Sequence, residues 1–271
     1  MTMTFSFTKL AVAASLATGT LLTLGGNAKA LDFGFEFTTT LSEYNSPTGN
    51  VLLESVQIGD EVVSDFSYIN AAEIIYNDPF LNGNTGAASA DTGDDVTDGV
   101  RAEDATAADV VANLGTNNLN HIIDTEDNGT FVIDLQFSKT IDNLLIWERG
   151  RNSKLGVQAV DANGNLIGER RVIGKNMWSD AGYSIDTHEI GGAQAVGSLG
   201  INISEDLGIE SGQAETIRFF SESSFNGPDW KFVGTNANRG IDAESVPEPA
   251  LAVGITIFGS LLMFRKRPQL A

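Results

Sequence analysis

The sequence predicts a mainly β domain, an antiparallel β-sandwich with one short helix, set between an N-terminal signal helix and a C-terminal transmembrane helix. Three observations carry this reading. Apolar and polar residues alternate with period two through most of the interior of the chain, the mark of half-buried strands. The 29 glycines supply frequent turns. Clear helical periodicity interrupts the strands once, which argues against a parallel sheet built with alternating helices.

Taken in order, Leu31, Phe33, Phe35 and Phe37 share one face of a first strand, with Asp32, Glu36 and Thr38 on the other. Between Asn77 and Gly99 the chain is poor in large apolar residues and rich in Gly, Asn and Asp, so a long mobile loop is expected. Ala107, Val110, Val111 and Leu114 fall at i, i+3, i+4 and i+7 of a helix. Thr106 and Asp109 form its capping box and Gly115 its stop. Phe131, Ile133, Leu135 and Phe137 mark another one-faced strand, whereas Ile141 to Trp147 is apolar on both faces and reads as a central strand covered on each side. Leu155–Val160 and Leu166–Ile173 flank Asp161-Ala162-Asn163-Gly164-Asn165, in which Asn-Gly supplies the positive φ angles of a tight hairpin. Further strands are expected at Leu199 to Ile203, Thr216 to Phe220 and Trp230 to Val233.

The two ends read as addresses. Residues 1–30 carry Lys9, an apolar stretch from Leu10 to Leu24 and a small-x-small close at Ala28-Lys29-Ala30, the pattern of a secretory signal peptide. Residues 246–271 begin Val246-Pro247-Glu248-Pro249, continue in an apolar run over residues 250–264 and stop at Arg265, Lys266 and Arg267. The run is shorter than the ~20 residues of a usual bilayer span, and the basic stop argues for a membrane helix with its end in the cytoplasm. The order Pro-Glu-Pro, short apolar helix, basic cluster resembles the PEP-CTERM sorting signal of bacterial proteins handled by exosortases. That resemblance implies export by the Sec machinery, cleavage by signal peptidase near Ala28 and Ala30, and transient anchoring in the inner membrane. It further implies cleavage by an exosortase near Pro247-Glu248-Pro249, and delivery to the cell surface or extracellular matrix.

Residues 31–245 are then the extracytoplasmic domain. Within it, residues 129–165 resemble the middle of galactose-binding-like jelly rolls, which implies a jelly-roll-like sandwich. Residues 117–131 and 225–234 resemble exosortase-dependent surface proteins with this kind of tail, most of which have no assigned activity.

Charge excludes some partners. The net charge is −20 and the isoelectric point about 4.2, so a phosphate backbone is repelled and nucleic acid is not expected. The end segments hold Lys9, Lys29, Arg265, Lys266 and Arg267, so 16 less five leaves 11 basic residues against 36 acids over residues 31–248, a net of −25. With no cysteine, disulfides, thiolate nucleophiles and thiolate metal sites are all excluded. No nucleophile elbow, phosphate loop or zinc-protease motif occurs, and the two histidines, His121 and His188, lie far apart in sequence. Glycoside hydrolysis needs two facing carboxyl groups, which 36 acids supply by chance without singling out a pair.

Four groups of residues bear on binding chemistry. Asp91, Asp94, Asp95 and Asp98, with Gly93 and Gly99, could fold oxygen ligands round calcium, although their spacing departs from an EF-hand and a solvated Asp/Gly turn explains the same residues. Asp124 to Gly129 has glycine sixth but lacks the acid at the twelfth place. Of the tryptophans, Trp147 shares a face with Ile141 and Leu145 and reads as core. Trp178 and Trp230 lie in or beside turns and are the better exposed candidates for stacking on a sugar of an extracellular polysaccharide. Glu148, Arg149, Arg151, Asn152, Ser153 and Lys154 form a strand-end loop of concentrated charge, suited to binding or to a salt bridge between Glu148 and an arginine. Together these readings predict a noncatalytic structural or adhesive surface protein. The alternative is a carbohydrate-binding module, calcium-assisted or not, and a weaker one is a secreted glycoside hydrolase.

Overall fold

The computed structural model describes residues 33–79, 87–89, 104–187, 192–210 and 214–236. In chain order the elements are β1 (Thr38–Tyr44), β2 (Val51–Ile58), β3 (Glu61–Val63), β4 (Ile69–Asn77) and β5 (Ala87–Ser89), then helix α1 (Ala107–Leu114). There follow β6 (Asp124–Thr125), β7 (Phe131–Phe137), β8 (Asn143–Arg149), β9 (Leu155–Val160), β10 (Leu166–Ile173), β11 (Ser179–Ile185) and β12 (Gln194–Asn202). Helix α2 (Ile203–Leu207), β13 (Thr216–Ser221) and β14 (Asp229–Thr235) complete the set. The fold is mainly β, and every strand pairing within its sheets is antiparallel.

A five-stranded sheet runs β10-β9-β13-β7-β4, a four-stranded sheet β11-β12-β8-β14 and a three-stranded sheet β1-β2-β3, with β5 and β6 as a separate pair. The four-stranded sheet is the middle layer, and its adjacent strands β8 and β14 are buried at every residue. On one face, Trp230 of β14 stacks on Phe131 of β7 and Phe219 of β13, with ring centroids 5.4 and 5.8 Å away. On the other, Leu145, Trp147, Val196 and Val233 pack with Val51, Leu53, Val56 and Ile58 of β2, and Phe37 meets Trp147 edge-on at 5.3 Å. The two-faced pattern expected over Ile141 to Trp147 is therefore that of a true central strand, and each of its buried aliphatic side chains contributes roughly 1.5–3 kcal/mol.

The hairpin strands β9 and β10 have the bounds expected of them, but the turn works differently. Only Gly164 adopts a positive φ, +82°, and the Asp161 carboxylate accepts from the Asn163 and Asn165 amides at 2.8 Å each. A side chain thus does what a second left-handed residue was expected to do. Helix α1 has its capping box, with Asp109 accepting from the Thr106 amide at 2.9 Å. Gly115 ends it at φ −77°, so the glycine is there for closeness: a Cβ would stand 2.7 Å from the Val111 carbonyl and 2.8 Å from that of Ile69.

Other expectations are corrected. The first strand begins at Thr38 because Gly34, at φ +81°, turns the chain, leaving Phe35 a single bridge to Gly200. Strand β12 starts at Gln194 and ends at Asn202, whose side chain caps the unexpected helix α2 by accepting from the Ser204 and Glu205 amides. The stretch 77–99 contains a strand, β5, paired to β6. Asn77 ends β4, and residues 80–86 and 90–99 of that stretch, like both end segments, lie outside the described residues. Among the described residues no helix is long and apolar enough to cross a membrane.

Candidate functional site

Three strands deliver charge to one end of the middle sheet. Register places Arg149 opposite Asp229 on β14 and Val196 on β12, while the bridge between Ile123 and Trp230 brings Asp124 and Thr125 alongside. Arg149 is 3% exposed. Its Nε donates to Asp229 Oδ2 at 3.0 Å and its Nη2 lies 2.8 Å from the same oxygen and 3.7 Å from Asp124 Oδ1. The third nitrogen donates to the Thr187 hydroxyl. Asp229 also accepts from the Thr125 amide at 3.2 Å, so one ion-pair cluster ties β6, β8 and β14 together.

Two loops close over this end in conformations side chains seldom adopt. Gly150 and Arg151 have φ of +100° and +57°, and Asn226 and Gly227 have +65° and +43°. Left-handed backbone at a non-glycine residue costs of order 1 kcal/mol or more and persists where surroundings impose it. Here the Ser153 hydroxyl donates to the Asn226 carbonyl, and Trp178 Nε1 donates to the Ser153 carbonyl at 2.9 Å. Gly227 presses so near β6 that a Cβ would lie 2.1 Å from the Thr125 carbonyl.

Between the loops lies a polar cleft of about 70 Å3. Asp124, Thr125, Glu126 and Asp127 line one part, Asn152, Asn226 and Gly227 another, together with Arg149, Gln194 and Asp229. Thr125 is 3% exposed, and its hydroxyl makes no hydrogen bond. A larger hollow of about 640 Å3 lies on the outer face of the five-stranded sheet, beside Glu73, Asp134 and the 161–164 turn. Asp134 there is already held by a bidentate pair with Arg218 at 2.6 and 2.7 Å. No buried polar atom lacking a hydrogen bond belongs to that lining, so the smaller cleft is the better candidate.

Glu148 does not pair with an arginine as expected. Side chains of successive strand residues point to opposite faces, so Arg149 joins the ion-pair cluster and Glu148 turns towards the five-stranded sheet, opposite Trp230. It is fully buried, and neither carboxylate oxygen makes a hydrogen bond. Burial, and then the charge of Asp229, push its pKa well above the usual carboxylate range; the nearby Ser153 hydroxyl, the Arg151 amide and Arg149 offset part of this. A carboxyl whose folded pKa is raised contributes stability that is complete below its unfolded value and declines as pH rises through the folded value. Glu148→Gln is therefore expected to raise the melting temperature at pH 8 and to change it little at pH 4. A thermal melt at both pH values checks this, and a loss at pH 8 refutes it.

The other sequence-expected residues are scattered. Trp178 and Trp230, expected to be exposed, are 4% and 0% exposed, so neither offers an indole face to a sugar. Trp178 pins the 150–153 loop, and Trp230 is enclosed by Phe131, Phe219 and Phe232. His121 is buried in a network with Thr116 and Asn118. Asp91, Asp94, Asp95, Asp98, His188, Ala28, Ala30, Val246, Pro247, Glu248, Pro249, Arg265, Lys266 and Arg267 lie outside the described residues. Among the described residues no group of three or more His, Cys, Asp or Glu is disposed to hold a metal ion. Arg149 and Asn152 of the charged loop and Asp124 to Asp127 of the Asp124–Gly129 stretch, all singled out in the sequence, come together at this cleft, whereas Gln194, Asn226 and Asp229 were not singled out. The signal that would have found Asp229 is the extended register of β14 past Trp230. No protein-family model matches the chain, and no curated protein is significantly similar to it.

Proposed function

We propose that this chain is an exported bacterial surface protein, delivered by its signal segment, sorted through its PEP-CTERM-like tail by an exosortase, and acting at the cell surface or in the extracellular matrix. The sandwich, jelly-roll-like in this reading, has a noncatalytic structural or adhesive role. The observation that carries it is the succession, in the tail sequence, of Pro247-Glu248-Pro249, an apolar run and Arg265-Lys266-Arg267. The protein's partners on this route are the Sec machinery, signal peptidase, the exosortase and the inner membrane. Replacing Pro247, Glu248 and Pro249 together by alanine is expected to leave the protein uncleaved and membrane-bound in its host. Fractionation and immunoblotting check this; release equal to that of the unaltered chain overturns it.

A second reading, a carbohydrate-binding module, draws support from the cleft. Carboxylates and the carboxamides of Asn152, Gln194 and Asn226 offer both acceptors and donors, the mixed set that sugar hydroxyls need. Binding there would not use Trp178 or Trp230.

A further inference from the structure

We propose that Asn163, in the turn of the β9–β10 hairpin, is a site of self-modification by deamidation. The Gly164 amide closes on its side chain, ammonia leaves, and an aspartyl or isoaspartyl residue remains, at a rate restrained by Asp161.

The chemistry needs only the chain and water. The Gly164 nitrogen, having given up its proton, attacks Asn163 Cγ. A new N–C bond forms, the Cγ–Nδ2 bond breaks, and the Nδ2 group leaves with that proton as ammonia. Water then opens the five-membered imide at one carbonyl or the other, giving aspartate or its β-linked isomer with nothing oxidised or reduced. Glycine in the following place favours closure, because no side chain crowds the attacking nitrogen.

Asn-Gly occurs four times, at Asn82, Asn128, Asn163 and Asn226. Asn82 lies outside the described residues. The structure separates the other three. At Asn226, the carbonyls of both Asn226 and Gly227 accept from the Ser153 hydroxyl. A Cβ on the buried Gly227 would lie 2.1 Å from the Thr125 carbonyl, so the backbone has no room to turn. At Asn128, the following Gly129 is buried and its amide donates to the Glu126 carbonyl at 2.7 Å. Residues 162 to 165 are all exposed, and no atom lies within 4 Å of where a Gly164 Cβ would stand. The Gly164 amide donates to the Asp161 carbonyl at 3.0 Å, an exposed bond that local opening breaks without disturbing the sheet.

Asp161 holds that opening back. Its carboxylate accepts from the Asn163 and Asn165 amides, on either side of the reacting nitrogen, at 2.8 Å each, and from the Asn165 side chain at 3.1 Å. The bonds from Asn165 are foremost in holding its pKa below the usual carboxylate range, so it is ionised where the nucleophile forms. Asp161 and Gly164 also line the larger hollow. Deamidation adds a negative charge at that rim, and the isoaspartyl product adds a backbone methylene as well.

The test incubates the full-length chain in mild detergent at pH 6 and pH 8 and follows each Asn-Gly peptide by mass spectrometry, with an isoaspartate-specific methylation assay for the isomer. Product at Asn163 is expected to form about tenfold or more faster than at Asn128 or Asn226, and faster at pH 8 than at pH 6. Asp161→Ala should speed it by about tenfold again. No product at Asn163, conversion at Asn128 or Asn226 as fast as there, or a rate that does not rise with pH overturns the site. An equal or slower rate in Asp161→Ala overturns the restraint.

Discussion

Arg149→Ala is expected to destabilise the domain by about 3–5 kcal/mol, the cost of breaking a buried ion pair from one side. The guanidinium and both its carboxylates are almost fully enclosed, with side-chain exposures of 2% for Arg149, 6% for Asp124 and 10% for Asp229. Removing it takes the guanidinium away from two buried carboxylates and breaks the ion pair through which β8 holds β6 and β14. Chemical denaturation of the variant reads the loss directly. The companion experiment separates electrostatics from packing. Arg149→Met combined with Asp229→Asn removes a charge of each sign and is expected to recover a large part of the loss, because a matched pair exchanged for neutral groups is close to neutral in stability. A double variant as unstable as the sum of its single changes would mean that the pair is not energetically coupled.

That cluster also explains why the site end of the molecule was only partly readable in the chain. What could be read was local. The β9–β10 hairpin, the α1 capping box and the two-sided β8 each depend on residues within a few positions of one another. Strand β4 escaped because its pattern is broken twice by register shifts, after Ile69 and after Ile74, and because Ala71 and Ala72 give weak alternation. The site depends on pairing over long separations, 80 residues between Arg149 and Asp229 and 104 between Thr125 and Asp229, which no short-range rule encodes. The tryptophans show the same limit from the other side. Their neighbours in sequence are turn residues, but strands β7, β13 and β14 meet over Trp230 and the 150–153 loop covers Trp178. Strand alternation carried through Arg149 puts Glu148 and Arg149 on opposite faces and forbids a salt bridge between those two.

The second large effect is expected at Lys231, a cation inside the middle layer. It is fully buried on β14, in register with Trp147, and its Nζ donates to the Asn113 carbonyl at 2.6 Å and to the Thr116 hydroxyl at 3.4 Å. Asn113 belongs to the last turn of α1, where carbonyls lack intrahelical partners and carry the negative end of the helix dipole. No basic residue of α1 itself serves that turn, so a lysine from a distant strand does. Lys231→Ala opens a cavity, costing about 2–5 kcal/mol, and orphans a buried carbonyl at about 1–3 kcal/mol more. Lys231→Met keeps the stem and loses only the head, so it is expected to cost less than half as much. Its cost should also depend on pH in a definite direction. Burial lowers the Lys231 pKa well below the ordinary 10.5. The native protein therefore carries its full charge-burial penalty below the folded pKa and grows more stable as pH rises from there towards 10.5. The methionine variant has no such term, so the gap between the two should be smallest in acid and widen towards alkaline pH. Denaturant titrations at pH 5, 7 and 9 check the trend. A methionine variant as damaged as the alanine one would show that Lys231 holds α1 through its head group and not by the packing of its stem, and a gap that narrows with rising pH would show that the folded state favours the ammonium form.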